Sequence, residues 1–275
     1  MTAHPGMQIH DALGREHSFS APPSRIVSLV PSLTETLFAL GVGASLVGVT
    51  DFCVHPAGGV ALLPRVGGTK NPNLKAIHSL APDLVLANKE ENRRRDVEAL
   101  EAAGVPVFVT YARGVREAVD EIRVLGRILA SEPRASSLAL SVEDALAELA
   151  KSSGGRRIST IALIWRDPFM VVGGDTFAHD LLVCCGAENP FAAAGMRRYP
   201  RVERRELEAA EPEVILLPTE PYAFALRDRD ELLTLDCPAA RNGRVHIVEG
   251  ELLSWYGPRM PRALATLAAL LRPVA

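Results

Sequence analysis

Cys53 and His55 stand two positions apart, just after the apolar run Leu46–Thr50. A thiol and an imidazole at that spacing can bind a borderline-soft metal, or the metal of a chelate. Packing as a buried thiol beside a surface histidine explains the same pair. Glu90 and Glu91 follow a second apolar run and could act as an acid/base pair if burial shifted one of them. With Asn92 and three arginines behind them, they also suit a solvated helix start favoured by the dipole. The densest chemistry lies near the carboxyl end in "WYGPRM". Trp255 and Tyr256 offer flat apolar area suited to a macrocycle, and Arg259 offers a donor fork for a carboxylate or phosphate. Trp255 filling a gap against the terminal helix is the alternative. "VVGGDTF" has two glycines before a helix start but neither GxGxxG nor GKS/T, so no nucleotide site is expected.

Several of these groups follow short apolar runs, which predicts strands. Arg25–Val30 is a β-branched run, and Leu46–Asp51, "DLVLAN", "VPVFVTY", "ISTIALIW", "EVILLP" and "RVHIV" are further apolar runs. Near-continuous apolar strands alternating with helical segments predict α/β lobes with parallel sheets covered on both faces. Ser32 and Glu35 read as a capping box, and Asp175 as the cap of "TFAHDLLVCCG". His179 on that helix reads as a structural histidine. Ligands of open parallel sheets sit at the carboxyl ends of the strands. The loops there carry Phe52, Asn88, Trp165, Arg166 and Tyr222, with Tyr199 before a later strand. They hold a large share of the aromatics in a chain with only 5% aromatic residues, which marks them as a binding surface.

One unit recurs. "NLKAIHSLAPDLVLANKEEN" and "RVERRELEAAEPEVILLPTEP" align at a spacing of 130 positions, placing Lys75 opposite Arg205, Ile77 opposite Leu207 and Pro82 opposite Pro212. The repeat predicts two similar lobes, residues 1–114 and 156–275, joined by a helical linker over 115–155. In that linker Ser131 can cap and Pro133 fits the first turn of a backbone helix of about 20 residues.

Composition narrows the classes. The 275 residues are 48% hydrophobic and 23% charged, which suits folded domains rather than disorder. A net charge of −3 gives no basic face, so a nucleic-acid partner is not expected. No apolar stretch is long enough to span a membrane. The amino terminus lacks an apolar leader, so a cytoplasmic location is expected, with a periplasmic or lipid-anchored one the alternative if a leader precedes Met1. The four cysteines fit no disulfide framework, and Cys184-Cys185 read as packed small hydrophobes.

The segments "RIVSLVPSLTETLFALGVGASLVGVTDFCVHP", "NLKAIHSLAPDLVLANKEEN" and "DTFAHDLLVCCGAENPF", the last followed by "RRYPRV", resemble the helical-backbone metal-receptor family. That family contains the vitamin B12-binding and iron-siderophore-binding components of ABC importers, and the chain is most similar to the B12 branch. The resemblance implies two α/β lobes joined by one long backbone helix, with a metal chelate held in a cleft between them. It implies a non-enzymatic monomer that needs no cofactor of its own. Cobalamin or another corrinoid is the first ligand expected, and haem or a siderophore the alternative. Phe52, Tyr199, Trp255 and Tyr256 would sandwich it, with Arg166 and Arg259 at its polar edge. Importer members usually carry a glutamate on each lobe for docking a permease, where this chain has Lys75 and Arg205, an exchange that argues against ordinary delivery to an importer. The B12-binding branch also carries tryptophans where this chain has Thr69 and Asn88. A cytosolic enzyme or metal-handling factor using Cys53, His55 and Glu90 or Glu91 is the rival reading.

Overall fold

The computed structural model describes residues 7–152, 155–193 and 197–272. Two compact units emerge: Met1–Ala112 with Arg116–Leu140 and Tyr256–Pro258 form unit 1, and the rest forms unit 2.

Unit 1 opens with a hairpin of β1 (Met7–His10) and β2 (Glu16–Phe19). The Asp11 carboxylate anchors it, accepting from the Leu13 and Arg15 amides at 2.9 and 3.0 Å and from Arg15 Nε at 2.8 Å. There follow β3 (Ile26–Ser28), α1 (Pro31–Ala39), β4 (Leu46–Val49), α2 (Ala57–Val60), the short pair β5 (Gly67–Gly68) and β6 (Asn71–Pro72), and α3 (Leu74–Ser79). Then come β7 (Leu84–Asn88), α4 (Arg94–Ala102), β8 (Val107–Thr110) and α5 (Val115–Ile128). The sheet order is β4-β3-β7-β8, and all its pairings are parallel. Every residue of β3, β7 and β8 is buried, as a parallel sheet covered on both faces requires. Val27, Val85, Val107 and Ile77 share its core.

The helix α6 (Glu132–Ser152) runs 21 residues, the length expected of the backbone helix. The linker 115–155 is not a unit of its own. Residues 116–140 pack with unit 1, and the chain joins unit 2 from Ser141. Ser131 stands at the start of α6, its carbonyl accepting from the Ala135 amide at 3.0 Å and its hydroxyl donating to the Leu40 carbonyl at 2.5 Å. Two other caps move by a residue or two. Helix α1 begins at Pro31, so Ser32 lies inside it, and α7 is capped by Thr176, which accepts from the His179 amide at 3.1 Å.

Unit 2 contains β9 (Ile158–Trp165), β10 (Phe169–Val171), α7 (Phe177–Cys184), β11 (Ala187–Glu188), β12 (Arg201–Val202) and α8 (Arg204–Ala209). It continues with β13 (Val214–Pro218), α9 (Leu226–Leu232), α10 (Pro238–Arg241), β14 (Val245–Val248), α11 (Glu251–Ser254) and α12 (Met260–Leu270). Strands β11, β9, β13 and β14 are parallel, in the order of β4-β3-β7-β8. To this four-strand repeat unit 2 adds an antiparallel edge, β10 and β12. Its hairpin turns after Trp165, which ends the last apolar run before a polar stretch and gave no alternation to mark a second strand.

The sequence repeat is structural. In each unit a six-residue helix, α3 or α8, is followed two residues on by one with φ of 44°, Ala81 or Glu211, and then by Pro82 or Pro212, two residues before the strand. Ile77 and Leu207 are fully buried at the same point of each helix. The acid after each proline ties the neighbouring strand. Asp83 accepts from the Ser24 and Arg25 amides at 2.8 and 2.9 Å, and Glu213 accepts from the Ser159 amide at 3.1 Å and from Arg156.

Candidate functional site

At the carboxyl end of the unit 1 sheet, Phe52 follows β4 and is 60% exposed, unusual for a phenylalanine. Cys53 turns the opposite way. Its Sγ is fully buried, accepts from Thr34 Oγ1 at 3.1 Å and lies 3.0 Å from Thr50 Oγ1. Burial pushes its thiol up, against the weaker pull of those two hydroxyls. A protonated, enclosed sulfur is a poor ligand, which corrects the Cys53–His55 metal reading. His55 is half-buried, and among the described residues no group of three or more His, Cys, Asp or Glu could hold a metal ion.

Asn88 ends β7 and is buried. Its Oδ1 accepts from the Glu90 and Glu91 amides at 2.9 and 3.3 Å, and its Nδ2 donates to the Thr110 carbonyl at 3.1 Å, Thr110 Oγ1 at 3.2 Å and the Tyr256 hydroxyl. Asn88 therefore builds the loop, and its amide is committed to it. Glu90 and Glu91 sit on that turn, with Glu90 offering its carbonyl to Lys70. Lys89 lies 4.6 Å over the Tyr111 ring.

Tyr256 is drawn into this network through its hydroxyl. Its hydroxyl also lies 3.3 Å from Thr110 Oγ1. Burial, then the Glu121 carboxylate, push the phenol well above its ordinary range. Glu121 on α5 accepts from the Tyr111 amide through Oε1, while its buried Oε2 has no hydrogen-bond partner. Burial, and then the neighbouring Glu117, raise its carboxyl to about 7. Sequence reasoning missed this acid. The signal was available, because Glu121 sits three positions from Ala118 and four from Leu125, on the apolar stripe of α5.

In unit 2, Trp165 ends β9 and is 42% exposed. Its ring meets Tyr222 edge-on at 5.7 Å between centroids, and Tyr222 meets buried Phe224 at 4.7 Å. Phe224 belongs to the unit 2 core with Leu232 and Leu235, so the exposed end of the aromatic row is rooted in packed structure. Half-buried Tyr199 precedes β12. Arg166 is corrected. Its guanidinium is bridged to Asp228 and Glu231 on α9, with Asp167 at 3.9 Å, which leaves it committed within the protein. Asp228, 1% exposed, also accepts from the Ala225 amide at 2.8 Å, and was not legible as a partner of a loop 60 residues away.

Trp255 is corrected as well. It is 8% exposed, its indole N–H donates to Glu220 Oε1 at 2.7 Å, and Arg259 lies 4.9 Å over its ring. Arg259 thus forms a cation–π contact with a buried ring. Glu220 also accepts from Ser254 Oγ at 3.0 Å, so it pins the start of "WYGPRM". His179 is half-buried beside Asn189 at 3.2 Å, and burial lowers its basicity. Lys75 and Arg205 are exposed on α3 and α8, and Arg205 pairs with Glu203 at 2.9 Å.

Known proteins share this architecture. The family model described as periplasmic binding protein matches residues 26–251. An uncharacterized ABC transporter substrate-binding lipoprotein of Bacillus subtilis, YvrC, is 29% identical over 273 residues, covering 96% of this chain and 85% of its own. A vitamin B12-binding protein of Vibrio parahaemolyticus is 25% identical over 244 residues, covering 88% of this chain and 86% of its own. Among solved structures, the apo periplasmic heme-binding protein RhuT of Roseiflexus sp. RS-1 superposes with a TM-score of 0.78 at 28% identity, over 90% of this chain and 97% of that one. With two units of one repeated α/β design and the helix α6 shared between them, the chain belongs to the periplasmic binding protein family, of the helical-backbone metal-receptor type.

Proposed function

We propose that this chain is the substrate-binding protein of an ABC importer, and that its cargo is a flat metal chelate of the corrin or porphyrin class. The observation that carries the reading is the row Trp165–Tyr222–Phe224, whose outer member keeps 42% of its surface in water at the carboxyl end of a parallel sheet. Exposed aromatic area rooted in a core is what a large conjugated ring stacks on. Phe52 offers a second such surface on unit 1. The names of the relatives support the class, since one binds vitamin B12 and another heme. A non-catalytic role agrees with the names of these relatives.

The same relatives weigh against the cytoplasmic expectation. One is by name a lipoprotein and another periplasmic, and on this reading the chain works outside the cytoplasm. Lys75 and Arg205 put cations on the two equivalent helices where the family resemblance implies acids. The membrane partner of this chain would then present acids to them, with the Lys75 side the stronger because Glu203 offsets Arg205.

The test is a visible-absorbance titration with aquocobalamin and with ferric haem. A saturable spectral change at micromolar protein is expected with at least one of them, weakened tenfold or more by Trp165→Ala. No change with either would remove the chelate from the reading.

A further inference from the structure

We infer that Arg166 is a positioning residue for the chelate: through Asp228 and Glu231 it fixes the Trp165 ring against Tyr222 and thereby sets affinity without touching the ligand. The inference rests on the binding reading above and deepens it.

Trp165 and Tyr222 come from different strand ends, β9 and the loop after β13. Their edge-on contact is a single aromatic pair, a small gain beyond its buried area. Such a pair does not by itself hold a ring that is 42% in water. The next residue along the chain supplies the restraint. Arg166 Nη1 bridges Asp228 and Nη2 bridges Glu231, so one planar fork grips two carboxylates one turn apart on α9. Asp228 is buried and fixed by the Ala225 amide, at the start of the helix that follows Tyr222 and Phe224. Trp165 and Tyr222 are therefore flanked by residues tied to one another through this bridge. A lysine cannot reproduce it, because an ammonium is a point charge and not a fork. The side chain that looked like a ligand donor has its nitrogens already spent on acids. What it leaves to the ligand is a pre-set aromatic surface, the kind of preorganisation that raises affinity by lowering the ordering cost of binding.

A double-mutant cycle between Arg166→Lys and Trp165→Ala tests this, with aquocobalamin and ferric haem as probes. Arg166→Lys is expected to weaken binding about tenfold in the wild-type background and less than twofold when Trp165 is already alanine, since the arginine acts through the ring. Equal losses in both backgrounds would overturn the inference and assign Arg166 a general structural or direct role. Should Arg166→Lys unfold, Glu231→Gln removes one arm of the fork at a half-exposed residue. Its loss, about threefold, must likewise vanish in the Trp165→Ala background. Iodide quenching gives a readout independent of any ligand, because Trp255 is buried and the exposed emitter is Trp165. Either variant should raise the Stern–Volmer slope of Trp165. An unchanged slope would contradict the restraint even if the wild-type protein bound neither probe. In that last case the chelate reading fails separately.

Discussion

Residue by residue, the decisive question was which polar groups face water and which are already bonded. Sequence pattern identifies residue types, but side-chain commitments come from partners far along the chain. Arg166, Trp255 and Asn88 looked like ligand groups, and each is taken up by a partner, Asp228, Glu220 and Tyr256, that lies 35 to 168 positions away. Phe52 and Trp165 are exposed at the ends of apolar strands, while Tyr222 is half-buried against Phe224. The Trp255 commitment has a measurable energy. Removing the indole N–H with Trp255→Phe leaves the Glu220 carboxylate short of a donor and should lower unfolding free energy by about 2 kcal/mol in urea titration. Glu121 supplies the pH dependence. Its carboxyl is raised from 4.5 to about 7, so the folded state prefers the protonated form. The stability it contributes is full below about pH 4.5 and is lost as pH rises toward 7, by at most about 3 kcal/mol. Glu121→Gln should flatten that decline between pH 5 and 7.5, read from melting midpoints. A decline that persists unchanged would place its origin elsewhere.

At the scale of elements, the helix–Pro–strand unit was readable because its signals are local: apolar period, a proline and a β-branched run within 20 residues. The two units it marks share one strand order, β4-β3-β7-β8 and β11-β9-β13-β14. The antiparallel edge of β10 and β12 was not readable, since strands of two or three residues carry no period. Caps were read to within a residue or two because several Ser, Thr and Asp stood close together. The repeat makes a paired prediction. Ala81 and Glu211 both hold φ at 44° between a helix and a proline. A β-branched side chain there is strained, so Ala81→Val and Glu211→Val should each destabilise their unit by about 1–2 kcal/mol. Glycine at either position should be tolerated with little change. A large difference between the two sites in denaturation midpoint would mean that the repeat is one of sequence only.

At the scale of the whole molecule, the chain combines two repeats of one α/β design with a shared 21-residue helix and exposed aromatic surface at strand ends. Family membership follows from the match over residues 26–251, and the cargo is the claim that needs a ligand experiment. Tryptophan emission can report it, because the two indoles have opposite environments, with Trp165 42% exposed and Trp255 8%. The direct measurement is quenching of Trp165 emission by aquocobalamin and by ferric haem, in protein carrying Trp255→Phe. Saturation near one equivalent at micromolar protein, with one chelate or both, is the predicted result. Emission that neither chelate quenches beyond its own light absorption, from a protein whose melting shows it folded, would contradict it.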